Sequence, residues 1–311
     1  MNKDVYYFTE ENSVEAVLSR IVDPKNTRLA EVMRSVIKHL HAIVKEVEPT
    51  YVEWEAAIEF LTATGKMCDD RRQEFILLSD VLGVSMLVDA INTRRPSGAT
   101  ENTVLGPFHV SGVPNREHGD TISQDGLGEP LYVYGRVTDP SGKPVAGAIV
   151  DTWQASHDGF YDNQKPDEKP EHNLRGTFIT DENGAFWYRA VKPSHYGIPN
   201  DGPVGKMLEG LGRDNMRPAH IHYIVSAPGY ETITTHLFDS KCPFLENDAV
   251  FGVKETLVVP YTEVDDAARA EEYGFKGSKF FEGHYDFIMK DDASVKDAEA
   301  AYSQRASMSS D

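Results

Sequence analysis

The spacing of apolar residues changes character once along the chain, near residue 100, and this change constrains the fold more than any other feature. Before it, the spacing is helical. In TRLAEVMRSVIKHLHAIVKEVEP, Leu29, Val32, Met33, Val36, Ile37, Leu40, Ile43, Val44 and Val47 recur every three or four residues until Pro49, the period of one face of an α-helix. Residues 12–95 therefore read as helices. Asn12 and Glu15 have the spacing of a capping box, and a third helix is expected from Tyr51 to Thr64, stopped by Gly65. The run EFILLSDVLGVSMLVDAIN is apolar nearly all round and is expected to form a buried fourth helix. The long stripe of the second helix allows two readings: it lies on its own core, or it pairs across a two-fold axis.

After residue 100 the runs LYVYGRVTD, AGAIVDTWQA, GTFITD, AFWYRAV, AHIHYIVSA, ETITTHLF and ETLVVPY are short and β-rich, separated by turn clusters such as DPSGKP, DENG and APGY. Successive short strands without helical period between them predict an antiparallel sandwich or barrel. The expected fold class is α+β: a helical N-terminal domain over residues 1–100, then an antiparallel β-sandwich over 101–311. Two irregular stretches, 156–174 and 192–218, are long enough to suggest function. The Ala/Ser/Asp-rich segment after residue 290 reads as poorly ordered.

Composition removes several function classes. A formal net charge of −19 without a Lys/Arg cluster opposes binding to a phosphate backbone. No apolar run approaches the ~18 residues of a membrane span, and MNKDVYYFTEENS lacks the basic start and apolar core of a secretory signal. A cytoplasmic protein with neither nucleic-acid nor membrane partners is expected. Cys68 and Cys242 are too few and too far apart for a disulfide framework or a cysteine zinc site.

In RPAHIHYIV, residues 217–225, two histidines stand one residue apart in a strand-like run. Alternation puts His220 and His222 on one face and Ile221 and Tyr223 on the other. Two imidazoles on one face can converge on a metal ion, or they can be two half-exposed strand histidines. Tyr161 in SHDGFYDNQ and Tyr196 in KPSHYGIPNDGPVG are lone aromatics in the long loops. Each alone reads as an amphipathic rim residue. Beside a multiply charged cation, however, a buried phenol ionises and becomes a hard oxygen donor. Two phenolates with two imidazoles suit ferric iron.

The succession LGPFHV, GRVTDPSGKPVAGAIVDTWQASHDGFYDNQ, HYGIPNDGPVG and RPAHIHYIVSAPGYETITTHLF resembles the intradiol ring-cleaving catechol dioxygenases over nearly the whole chain. That resemblance implies non-haem Fe(III), one ion per subunit, held by Tyr161, Tyr196, His220 and His222. It also implies a homodimer joined through the N-terminal helices. By the same resemblance Tyr196 is the ligand that leaves the metal and takes a substrate proton, and Arg217 stabilises negative charge on the ring. An arginine at this place would otherwise read as a surface ion-pair residue. Leu77, Asp80, Val104, Leu105, Gly106, Pro107, Phe108, Ile198 and Pro199, together with Arg217, would line the substrate slot.

Within the family, LLSDVLGVSMLVDAIN, APGYETITTHLFDS and NDAVFGVKETLVV are most similar to the hydroxyquinol-cleaving branch. The catechol branch typically has glutamine near the position of His236. The implied reaction cleaves hydroxyquinol (benzene-1,2,4-triol) with dioxygen to 3-hydroxy-cis,cis-muconate (maleylacetate), in aromatic catabolism. Catechol or a chlorocatechol is the alternative substrate. Asp80 is then either a helix-surface acid or the partner of the third substrate hydroxyl. Two other classes compete: a prealbumin-like sandwich that only binds, suggested by GRVTDPSGKPVAGAIVDTW, and a zinc hydrolase, which lacks a nearby HExxH-type carboxylate.

Overall fold

The longest helix begins where Asn26, in extended backbone, accepts a hydrogen bond from the Leu29 N–H through Oδ1 at 2.9 Å. This satisfies one of the donors that every helix start leaves open. The helix, α2 (Thr27–Val47), stops at Glu48, which adopts a left-handed conformation just before Pro49. It lies between α1 (Ser13–Leu18) and α3 (Tyr51–Lys66), the latter running through Gly65 rather than ending there. The expected capping box at Asn12 does not form. Its Oδ1 accepts instead from the Thr9 N–H at 2.8 Å, a donor offered by the preceding turn.

The computed structural model describes residues 7–69, 72–94 and 98–291. The segment beyond 291, expected to be poorly ordered, lies outside the described residues. Packing divides the chain into two compact units, Met1–Lys66 and Met67–Asp311.

In the first unit the α2 stripe is not covered by its own core. Leu29 and Leu40 are each 56% exposed, and only Ala30 of this helix is buried. The six-residue α1 is too short to cover a helix of 21 residues.

In the second unit the expected fourth helix is two, α4 (Glu74–Val81) and α5 (Val84–Asn92), broken at Gly83, whose φ of +73° is left-handed. The expectation that this run is buried is also corrected. Ile76, Leu82, Leu87 and Val88 are exposed, while Glu74, Val81 and Met86 are buried. Two short helices turned against each other at a glycine each present one narrow face inward.

The strands are β1 (Pro130–Thr138), β2 (Ile149–Gln154), β3 (Arg175–Ile179), β4 (Ala185–Val191), β5 (Tyr196–Gly197), β6 (Met216–Arg217), β7 (His220–Ser226), β8 (Ile233–Asp239), β9 (Val258–Val259), β10 (Thr262–Asp265), β11 (Lys279–His284) and β12 (Phe287–Ile288). One sheet runs β10-β11-β1-β12, with β4 also paired to β1; the other runs β3-β2-β7-β8-β9. Both are mixed rather than purely antiparallel, because β11 and β12 run parallel to β1 and β9 runs parallel to β8. Tight hairpins cannot make parallel pairs; these strands return through longer connections from the last third of the chain. Two short helices join them, α6 (Pro203–Gly210) and α7 (Ala267–Glu272). The first occupies a stretch expected to be irregular, with Pro203 in its opening turn, where a missing N–H costs nothing.

Alternate residues of the two sheets meet in one core. Leu131, Val133 and Val137 of β1 join Val150 of β2 and Ile221, Tyr223 and Val225 of β7 there. Since neighbours along a strand point to opposite faces, burying Ile221 and Tyr223 between the sheets turns His220 and His222 to the outer face.

Candidate metal centre

On that outer face, strand register sets three rings in a row. Trp153 of β2 lies opposite His222 of β7, which lies opposite His236 of β8. The Trp153 and His222 rings are stacked, 4.6 Å apart and 11° from parallel, while His236 meets His222 at 4.1 Å and 73°. His220 completes the group, its Nε2 lying 3.2 Å from that of His222. All three histidines are at most 1% exposed, and one ring nitrogen of each lies within 4.8 Å of the others. Among the described residues this is the group of His, Cys, Asp and Glu able to hold a metal ion.

The two long loops bring phenols onto this face. Tyr161 follows β2, and a bond from its N–H to Gln164 Oε1 at 2.9 Å fixes its backbone. The adjoining Asp162 is bound by Arg175 through Nε at 2.8 Å and Nη2 at 2.6 Å, and Arg175 Nη1 also reaches the Phe108 carbonyl at 2.7 Å. Arg175, itself 1% exposed, ties the Tyr161 loop to the loop carrying Phe108. Tyr161 Oη consequently lies 2.9 Å from His222 Nε2. Tyr196 arrives on a separate two-stranded ribbon, β5 with β6, in which it stands directly opposite Arg217. Its ring lies 5.6 Å from Tyr161 and 5.6 Å from His220.

Burial controls the charge state of the group. It pushes His220 down to about 3, with Arg217 adding to the effect, and takes His222 and His236 well below the ordinary imidazole range. These rings are neutral and have lone pairs to give. The His220 Nδ1–H donates to the Pro218 carbonyl at 2.6 Å, which leaves Nε2 as the lone-pair nitrogen. Burial pushes the Tyr161 phenol well above its ordinary range, Tyr196 adds to that, and Arg217 and Arg175 act in the opposite direction. A multiply charged cation among these atoms would reverse that preference and give a phenolate.

Arg217 is buried, 4% exposed, and Asp248 holds it. Its desolvation favours the neutral form, but Asp248, together with Tyr196 and Tyr161, outweighs this and favours the charged form. A surface ion-pair role for Arg217 is thereby excluded.

Of the predicted slot residues, Phe108 and Gly106 lie against this cluster. Phe108 stacks on Tyr161 at 4.5 Å. Gly106 has φ +75°, and a Cβ there would meet His222 Cε1 at 3.1 Å, so its backbone lies against the ligand-type ring. Ile198 is buried beside the Tyr196 ribbon. Leu77, Asp80 and Val104 are half-buried, whereas Leu105, Pro107 and Pro199 are exposed. Burial raises the Asp80 carboxyl above its ordinary range, while the Ser85 hydroxyl and the Arg217 charge pull it down, so Asp80 shares the field of Arg217. Sequence reasoning missed Trp153, Arg175, Asp162 and Asp248. A hint for Trp153 was its place in a β-rich run with the same alternation as the histidines.

The second unit is thus a mixed β-sandwich that gathers buried histidines, able to hold a metal ion, and two tyrosines on the outer face of one sheet. The donors fit a hard, multiply charged cation: two phenols, neutral imidazole nitrogens 3.2 Å apart, and a permanent charge beside them. Comparison with known proteins gives the family. Residues 104–291 match the family model described as "Dioxygenase", and residues 26–100 the model described as "Catechol dioxygenase N terminus". A hydroxyquinol 1,2-dioxygenase of a Rhizobium species is 53% identical over 91% of this chain and 96% of its own. A 6-chlorohydroxyquinol 1,2-dioxygenase of Cupriavidus pinatubonensis is 47% identical over 86% of this chain and 97% of its own. The crystal structure of a hydroxyquinol 1,2-dioxygenase from Pseudomonas putida superposes with a TM-score of 0.87, at 45% identity, over 91% of this chain and 99% of that one.

The chain belongs to the intradiol ring-cleavage dioxygenase family. It is an enzyme, and the resemblance to the hydroxyquinol-cleaving branch read from its sequence is borne out. No helix among the described residues is long and apolar enough to cross a membrane.

Proposed function

We propose that this protein cleaves hydroxyquinol between its adjacent hydroxyl-bearing carbons, using dioxygen and one non-haem Fe(III) per chain. The relatives named for this reaction support the substrate. The observation that carries the chemistry is the convergence of Tyr161 Oη and His220 Nε2 on His222 Nε2, at 2.9 and 3.2 Å, with Tyr196 facing Arg217 across the ribbon. Tyr161, Tyr196, His220 and His222 would hold the metal. When bound there, ferric iron would supply a Lewis acid for the deprotonated diol to chelate, drawing electron density from the ring and so activating it toward dioxygen.

The protein's own groups do the rest. Tyr196 sits on a two-residue ribbon rather than within a sheet, and is half-exposed where Tyr161 is fully buried. As the phenolate, it would be the group free to swing away and take a substrate proton at Oη, becoming the neutral phenol. Arg217, pinned by Asp248, holds a fixed positive charge against the negative charge that develops on the ring. Leu77, Val104, Leu105, Gly106, Pro107, Phe108, Ile198 and Pro199 would line a mostly apolar slot for the ring. Asp80 accepts a hydrogen bond from the third hydroxyl, which catechol lacks. Both atoms of dioxygen enter the product, 3-hydroxy-cis,cis-muconate (maleylacetate).

We further propose a homodimer in which the exposed stripe of α2 supplies the contact, the domain of residues 1–100 carrying it. The metal assignment is tested by the visible spectrum. The purified ferric protein should be wine-red from phenolate-to-iron charge transfer, and Tyr161→Phe should shift or bleach the colour. A colourless, iron-loaded, active protein would contradict the ligand set.

A further inference from the structure

His236 stands closer to the paired histidines than any role so far assigned to it requires. It is 0% exposed, lies opposite His222 in the β7–β8 register, and its ring is 4.9 Å from that of His220. Its Nδ1 is 2.7 Å from Thr103 Oγ1. Thr103 is itself buried, and among the described residues Nδ1 is the partner its hydroxyl has. A buried hydroxyl that must place its proton therefore donates to Nδ1, which makes Nδ1 the acceptor and puts the ring proton on Nε2. Nε2 is buried too, with no hydrogen-bond partner among the described residues. A buried N–H with nothing to donate to is costly, and a protonated nitrogen has no lone pair with which to bind a metal.

We infer that His236 is a hydrogen-bond donor to the reacting centre: its Nε2–H donates to an anionic oxygen held at the metal and is not a third imidazole ligand. This rests on the ferric site proposed above. That oxygen belongs either to solvent-derived hydroxide or to the deprotonated diol, and both offer the same anionic acceptor. Thr103 acts through His236 as the positioning residue that fixes its tautomer.

The test uses ferric wild-type protein, His236→Leu, His236→Gln and Thr103→Val, with iron content and the charge-transfer band measured first. Fluoride then stands in for hydroxide, and hydroxyquinol without dioxygen supplies the diol; both are titrated against the band. His236→Leu should keep its iron and colour but bind at least one of the two about 10-fold more weakly. Weakening of fluoride alone assigns the bond to the solvent-derived oxygen, and weakening of hydroxyquinol alone assigns it to the diol. The amide N–H of His236→Gln should recover affinity to within about 3-fold of wild type. Thr103→Val should keep iron and weaken the same ligand, and it carries the test if His236→Leu does not fold. Loss of iron or colour in folded His236→Leu would make His236 a ligand and overturn the inference, as would unchanged affinity for both probes. A wild-type protein without the band would remove the ferric site, and this inference with it.

Discussion

Arg217 and Asp248 form an ion pair almost wholly out of water, Nε lying 3.2 Å from Oδ1 with the two side chains 5% and 3% exposed. Asp248 is in turn fixed by the Gly252 N–H, 2.8 Å from Oδ2, and the Val250 N–H, 3.3 Å from Oδ1. The loop around residues 248–252 thus aims a charge that the β5–β6 ribbon sets opposite Tyr196.

Removing one partner of a buried pair leaves the other uncompensated. Asp248→Ala should therefore destabilise the protein by about 3–5 kcal/mol and misplace Arg217, lowering kcat/KM. Asp248→Asn keeps the shape and should cost less. Urea denaturation measures the difference, and a loss under about 1 kcal/mol in Asp248→Ala would show the pair to be dispensable.

The same pair predicts a pH dependence. Burial alone would raise the Asp248 carboxyl, but the Arg217 charge and hydrogen bond, with smaller help from His220 and the Gly252 N–H, outweigh it and hold it below its ordinary range. A folded-state value below the unfolded one means stability that is complete above the unfolded pKa, about 3.9, and lost as pH falls through the folded value. Unfolding free energy should therefore fall more steeply below about pH 4 in wild type than in Asp248→Asn, which has no carboxyl to protonate. Parallel curves there would assign acid sensitivity to other groups.

Substrate choice rests on Asp80. A third hydroxyl left unpaired in an apolar slot costs about 1–3 kcal/mol, so Asp80→Ala should lower kcat/KM for hydroxyquinol by about 10-fold or more and change catechol turnover much less. Equal losses on both would mean that Asp80 supports the fold or the metal site instead.

The local parts of this account were legible in the sequence. Strict alternation in AHIHYIVSA placed His220 and His222 on one face, and three- and four-residue spacing gave α2 to within two residues. What escaped was pairing between distant segments. Nothing near Arg217 marks Asp248 as its partner 31 residues on, and nothing in the C-terminal strands says that β11 and β12 will run parallel to β1. Trp153 and Arg175 went unnoticed for the same reason, since strand register and a loop-to-loop clamp give them their roles. The burial of EFILLSDVLGVSMLVDAIN was misjudged because hydrophobicity reports the need for a covering surface without saying which surface provides it.

The exposed α2 stripe tests the proposed assembly. Val36 and Leu40 are 39% and 56% exposed, so charging them together, Val36→Glu with Leu40→Glu, should give a monomer or an insoluble protein if this face is an isologous contact. An unchanged dimer by light scattering would place the contact elsewhere.

The central claim is that the Tyr161, Tyr196, His220, His222 centre opens hydroxyquinol between its adjacent hydroxyls. The most direct measurement is turnover of the iron-loaded protein with hydroxyquinol, catechol and chlorocatechols under ¹⁸O-labelled dioxygen, with products identified by mass spectrometry. The account predicts the highest kcat/KM for hydroxyquinol and a ring-opened diacid carrying both labelled atoms. A preference for catechol would contradict the substrate assignment, and a ring opened outside the two hydroxyl-bearing carbons would contradict the chemistry of the site itself.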